Sequence, residues 1–227
     1  MTELLKVGVV GRDGRMGRAA VDWIRADDGM ELVGAVGSGD EWCAIDGAAV
    51  VLEVTRAGLG LEHGLRLLKM GIRPLVGTSG MNSRDASVLH EVAIQKSLGG
   101  AVVPNFSVGF LSFSQAVEAA RGGHPSACVV EAHHKRKADA PSGTAIQLAG
   151  QLGIEADRVT SLRMEGVLAI HEVRLSGMED MITLRHESRG LAGFREGLLA
   201  SLRHAASTRG VTYGLAEVMG GACKVQP

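Results

Sequence analysis

A chain of 227 residues that is 45% hydrophobic can bury a substantial core and is expected to form one large or two small domains. Its Lys+Arg of 24 against Asp+Glu of 25 leaves a net charge of -1, which excludes a protein-wide field for nucleic acid or anionic membrane, so any anion must be met locally. Aromatic residues, at 3%, are too few for a base-stacking surface, and the widely separated Cys43, Cys128 and Cys223 fit free thiols in a reducing cytoplasm rather than a disulfide framework.

Residues 1–10 lack the basic start and long apolar run of a secretory signal, so export is not expected. The run LLKVGVV at 4–10 reads as a strand, GRDGRMG as a turn, and Val21 with Ile24 as one face of a helix. Apolar runs at 31–36 and 49–55 read as further strands, followed by Leu61, Leu65 and Leu68 at helical spacing, a short strand at 74–76 and the turn GTSG. Ser83 is placed to cap a helix carrying Val88, Val92 and Ala93, before a strand at 101–103. The charge-free segment 97–117 contains Pro104, Asn105 and Gln115, so it reads as strand, polar turn and helix rather than a membrane span. This alternation predicts a Rossmann-like, doubly wound parallel sheet, with GRDGRMG, GTSG and PNFS gathered beyond the carboxyl ends of its strands.

After Asn105 the pattern changes. A helix over 108–121, the strand CVVEAHH, a helix from Ser142, and alternating runs at 160–164, 168–175 and 181–186 predict a second α+β domain built on a mixed or antiparallel sheet. A helix over 194–204 follows, and the tail 211–219 is expected to rejoin the first domain. The expected division is therefore 1–104 plus 206–227 for nucleotide, and 105–205 for substrate and assembly.

Gly11, Gly14 and Gly17 lie between a predicted strand and a predicted helix, the context in which glycines let backbone approach a pyrophosphate at a helix start. The same glycines would also suit a tight turn alone. Their spacing is G-x-x-G-x-x-G, with Arg12 at an internal position, and the acidic residue expected after the second strand for the ribose is absent: the strand runs into Gly37, Ser38 and Gly39, with Asp40 late. Arg12, with Ser38, is a candidate for a 2′-phosphate, which favours NADPH; a solvated surface arginine is the other reading.

The stretch EAHHKRKADAPSGTA, 131–145, ends a strand, crosses a basic loop and enters a helix whose Ser142, Gly143 and Thr144 offer donors suited to a carboxylate. An imidazole can exchange a proton and a lysine can supply one, which suits a reduction needing hydride plus proton. A structural histidine pair is the alternative; zinc is disfavoured because no cysteine or carboxylate spacing completes a ligand set.

This stretch resembles the signature of the dihydrodipicolinate reductase family, of form E-x-H-H-x-x-K-x-D-A-P-S-G-T-A, and GRMG, VTR, GTSG, PNFSVG and HEVRLSG extend the similarity over nearly the whole chain. The resemblance implies an NADPH- or NADH-dependent enzyme that reduces hydroxy-tetrahydrodipicolinate, through dihydrodipicolinate, to tetrahydrodipicolinate on the diaminopimelate route to lysine. It implies cofactor contacts at Gly11, Arg12, Asp13, Gly14, Arg15 and Met16, at Gly77, Thr78 and Ser79, and at Pro104, Asn105, Phe106 and Ser107. It implies His133 as proton donor and acceptor, Lys137 as a proton donor, and His134, Ser142, Gly143 and Thr144 around the carboxylates of a small dicarboxylate substrate, with no metal. A cytoplasmic homotetramer built on its C-terminal domains is also implied, with closure between domains because hydride and proton donors lie on different ones. The chain departs from the family in its short 36–48 connection, in Gly37 where the ribose acid stands, and in Leu191 where an arginine falls, leaving Arg189 or Arg195 as substitutes. Two other readings are a different nicotinamide-dependent imine reductase or amino-acid dehydrogenase, and a non-catalytic nucleotide sensor.

Overall fold

The computed structural model describes residues 3–220. These divide into two compact units, residues 3–106 with 194–220, and Ser107–Gly193.

The first unit is a six-stranded parallel sheet of order β10-β5-β4-β3-β1-β2. Its strands are β1 (Leu5–Val10), β2 (Met30–Val36), β3 (Val50–Glu53), β4 (Arg73–Val76), β5 (Gly99–Val102) and β10 (Gly210–Tyr213). Central strands such as β3, VVLE, are buried at every position because helices cover both faces. Helices α1 (Arg15–Arg25) and α6 (Arg195–Ser207) lie against one face, and α2 (Gly60–Lys69) with α3 (Ser83–Gln95) against the other. A short helix, α7 (Leu215–Val218), follows β10.

The brief connection after β2 holds no α-helix. A 3-10 turn, Trp42–Ile45, buries Trp42 and Ile45 beneath the sheet instead, and Gly34 lets it come close: a Cβ there would lie 1.7 Å from the Ala44 carbonyl oxygen. The cap of α3 is Asn82 rather than Ser83; its side chain accepts from the Arg84 and Asp85 N–H groups while Asp85 accepts from the Asn82 N–H, a closed capping box.

Helix α6, expected in the second domain, groups with the first unit. Leu198, Leu199, Leu202 and Ala205 are buried there, Gly197 clears the Phe106 carbonyl, and Arg203 donates to Asp27 at 2.7 Å. Packing of a helix's apolar face decides membership, and sequence proximity to the preceding strands does not.

The second unit is a mixed four-stranded sheet, β7-β6-β8-β9, from β6 (Ser126–His134), β7 (Thr160–Met164), β8 (Ala169–Ser176) and β9 (Met181–Ser188). Strands β6 and β7 run parallel and the remaining pairs antiparallel. Helices α4 (Val108–Arg121) and α5 (Gly143–Leu152) cover one face, joining Phe110, Phe113, Val117, Leu148 and Leu152 to Val129, Val173 and Leu175. Strand register gives that inner face a polar end as well: Ser161, Glu131, His171 and His186 form one cross-strand row, with Arg163 and His133 adjacent in the next. Among the described residues no helix is long and apolar enough to cross a membrane.

Candidate active site

The nucleotide features of the first unit sit at the carboxyl end of β1. Gly11 leaves the strand at φ +100, where its N–H and that of Arg12 donate to the Val36 carbonyl. A Cβ on Gly11 would lie 2.4 Å from the Val54 oxygen, and one on Gly17 2.0 Å from the Gly11 oxygen, so internal packing accounts for both glycines. Gly14 differs. It has φ -71, and a Cβ there would meet only ordinary contacts from 3.4 Å outward, so neither backbone strain nor packing requires a glycine. The bare position leaves the backbone at the start of α1 approachable, and α1 has no side-chain cap. This is the arrangement that fits a pyrophosphate.

Other expected cofactor residues have structural partners. The Thr78 hydroxyl accepts from the Thr55 N–H at 2.8 Å, Gly77 makes room for the Phe106 ring, and Ser107 caps α4 by accepting from the Phe110 N–H. Ser79 is exposed, and Pro104 and Asn105 follow β5. Arg12 does not stand open for a 2′-phosphate: Nη1 donates to the Ala35 carbonyl at 2.7 Å and Nη2 meets the Asp40 carboxylate at 2.8 Å. Glu53, fully buried at the end of β3, was not singled out by the sequence; it accepts from the Thr55 N–H and hydroxyl and meets His63 Nδ1 at 3.1 Å.

In the second unit, period-two alternation on β6 brings Glu131 and His133 to the inner face. The buried Glu131 carboxylate accepts from His133 Nδ1 and, at 2.9 Å, from Arg163 Nη1. Arg163 also donates to the carbonyls of Leu162, Lys137 and Asp139, and so fastens the basic loop to the sheet. Lys137 Nζ contacts both oxygens of Asp139 at 2.8 Å. Lys135 turns instead to Glu165 at the surface. The Ser142 hydroxyl accepts from the Ala145 N–H and is committed to capping α5, whereas the N–H groups of Gly143 and Thr144 open the helix. His134 is the last residue of β6, half-buried, and the pleat sends its side chain to the face opposite His133. Arg189 is exposed beside Glu187, and Leu191 opens a 3-10 turn.

Electrostatics follow from this packing. Burial lowers the His133 pKa from the ordinary histidine value against the pull of Glu131, and Lys137 and Arg163 add to the lowering. Burial opposes ionisation of Glu131, but hydrogen bonds, those from Arg163 and His133 among them, hold its carboxyl below the usual range. With Nδ1–H given to Glu131, His133 has Nε2 as the position at which a proton is taken or released.

His171, opposite Glu131, is packed edge-on against the His133 and Phe110 rings. Burial, with His133 and His186 beside it, lowers its pKa to about 3. The sign of the consequence is fixed: below the ordinary histidine pKa the unfolded chain takes up a proton that the folded one refuses until about pH 3, so acid removes stability across that window. Melting of the wild-type protein is expected to fall as pH drops from 7 to 4.5, at up to about 1.4 kcal/mol per pH unit from this residue. His171→Leu should flatten that slope in calorimetry; an unchanged slope would assign the acid sensitivity elsewhere.

Two family models account for the chain: dihydrodipicolinate reductase, N-terminus, matches residues 5–106, and dihydrodipicolinate reductase, C-terminus, matches residues 83–219. The chain belongs to the dihydrodipicolinate reductase family. It is 34% identical to the 4-hydroxy-tetrahydrodipicolinate reductase of Streptomyces griseus subsp. griseus, over 93% of this chain and 96% of that one. It is 30% identical to that of Prochlorococcus marinus (strain MIT 9313), over 96% and 98%. Its fold is similar to the dipicolinate-bound dihydrodipicolinate reductase from Paenisporosarcina sp. TG-14, with TM-score 0.77 and 24% identity over 95% of this chain and 99% of that one. In this member of the dihydrodipicolinate reductase family, Arg163 and the role of Glu131 are what sequence reading missed; alternation along SLRM, read with that along VVEAHH, was the available signal.

Proposed function

We propose that the protein reduces hydroxy-tetrahydrodipicolinate, by way of dihydrodipicolinate, to tetrahydrodipicolinate with NADH or NADPH, in diaminopimelate and lysine biosynthesis. The observation that carries this reading is the Arg163–Glu131–His133 chain beside Lys137 and the open start of α5, on a chain whose residues 5–219 match the family. The nicotinamide, when bound, supplies a hydride, and its own oxidation balances reduction of the conjugated imine. The protein's residues do the rest. Gly14 and the first turn of α1 hold the pyrophosphate, with Gly11 shaping the loop and the 77–79 and 104–107 turns bordering it. Gly143 and Thr144 N–H groups take a substrate carboxylate, with His134 at the loop's edge and Ser142 fixing the helix start.

Hydride addition leaves electron density on a conjugated carbon and nitrogen, and His133 Nε2 delivers the proton that quenches it. The substrate's two carboxylates raise the imidazole's proton affinity just where burial has lowered it, so the acid form is restored on binding. Lys137, oriented by Asp139, supplies further positive charge or a proton.

The reading includes cytoplasmic residence and self-assembly as a homotetramer. The outer face of the four-stranded sheet supports the second point: Leu162 and Met164 lie exposed on it at the end that carries Ile170, and Met181 lies exposed at the other end.

The deciding experiment is oxidation of NADH or NADPH followed in the presence of freshly generated hydroxy-tetrahydrodipicolinate. Turnover that depends on that substrate is expected, and its absence with both nucleotides would defeat the proposal.

A further inference from the structure

The end of β2 bears on which nucleotide the first unit accepts, an inference that rests on the nicotinamide reading above. In a sheet of this order an acidic side chain beyond the second strand accepts hydrogen bonds from the adenosine ribose. Here that strand ends at Val36 and runs into Gly37, which has no side chain to offer. Asp13, from the glycine loop, fills the space. A Cβ on Gly37 would lie 2.0 Å from Asp13 Oδ2 and 2.7 Å from its Cγ, so any larger residue at 37 would expel the carboxylate. The Ser38 N–H donates to the same Oδ2 at 3.2 Å and fixes it over the strand end.

The local cation is already committed. Arg12 is bound by the Ala35 carbonyl and Asp40, with Asp13 Oδ1 3.7 Å from its Nε, and Asp40 is itself held by the Gly37 N–H at 2.7 Å. Two carboxylates therefore face one guanidinium. A 2′-hydroxyl can donate to the exposed Asp13 carboxylate at no electrostatic cost. A 2′-phosphate, carrying about 1.5 to 2 negative charges, would face that carboxylate and have to draw Arg12 away from Asp40.

We infer that Asp13 is the ribose-binding carboxylate of this protein, carried on the glycine loop instead of on the second strand, and that with Asp40 restraining Arg12 it selects NADH over NADPH. Dissociation constants for the two reduced nucleotides, measured on the full chain by nicotinamide fluorescence without substrate, test this. The wild type is expected to bind NADH about tenfold or more tighter than NADPH, the scale of one hydrogen bond to a charged group. Asp13→Asn should remove most of that ratio by weakening NADH, and Asp40→Asn, which releases Arg12, should tighten NADPH. Both side chains are partly exposed, so neither variant threatens the fold. Tighter NADPH binding by the wild type, or a ratio unmoved by Asp13→Asn, overturns the inference and leaves the nicotinamide reading standing. Failure of the wild type to bind either nucleotide overturns both.

Discussion

His133→Gln is expected to lower kcat by about 100-fold or more, the scale of a lost general acid, while the dissociation constant for the nucleotide stays where it was. Glutamine keeps much of the volume and can still accept or donate a hydrogen bond, but it has no group that exchanges a proton near neutral pH. Because the side chain belongs to the second unit, unchanged nucleotide binding by the first separates lost chemistry from lost cofactor binding. The wild-type pH profile carries a matching signature. The protonated imidazole is the active form, so activity falls as pH rises through its pKa, which burial lowers in the free protein. In the complex the dianionic ring raises it again. The basic limb of kcat should therefore lie at higher pH than that of kcat/KM, since the former reports the bound state and the latter the free one. Near wild-type turnover in His133→Gln would remove the residue from the chemistry.

Glu131→Gln should affect both stability and rate. The carboxylate is fully buried and accepts from His133 and Arg163, so the substitution leaves a largely buried guanidinium without its counter-charge. Breaking a buried pair on one side costs about 3 to 5 kcal/mol, and the lower end applies here because Arg163 is partly exposed and retains its carbonyl acceptors. The second unit should melt earlier by a corresponding amount. Loss of the fixed Nδ1–H acceptor also frees the imidazole to adopt the wrong tautomer, and kcat should fall by about tenfold or more. A merely structural role would not move the pH profile. Glu131 raises the His133 pKa, so its removal should shift the basic limb of kcat/KM to lower pH. An unshifted limb with lowered stability would reduce Glu131 to a packing residue.

Much of the fold was legible along the chain because parallel strands buried on both faces leave continuous apolar runs, as in β1 and β3. The boundary at α6 was not legible. An amphipathic helix records that it has an apolar face but not which sheet will cover it, and only the burial of Leu198 and Leu202 in the first unit assigns it. The capping residue of α3 was likewise ambiguous between Asn82 and Ser83 until the reciprocal bond with Asp85 appeared.

The local stretches by themselves determined the chemistry on offer: a glycine turn before a helix, and an imidazole and a lysine ahead of a donor-rich helix start. Residue type and near-neighbour spacing suffice for that, because strand-turn-helix geometry is decided over a few residues. Which groups are charged, oriented or already occupied was decided only in three dimensions. Arg163 lies 32 positions from Glu131, and Asp13 lies 25 from Ser38, yet strand register and loop packing bring each pair into hydrogen-bonding contact. A side chain's proton affinity and availability depend on what surrounds it in space, and that surrounding is assembled from distant parts of the chain.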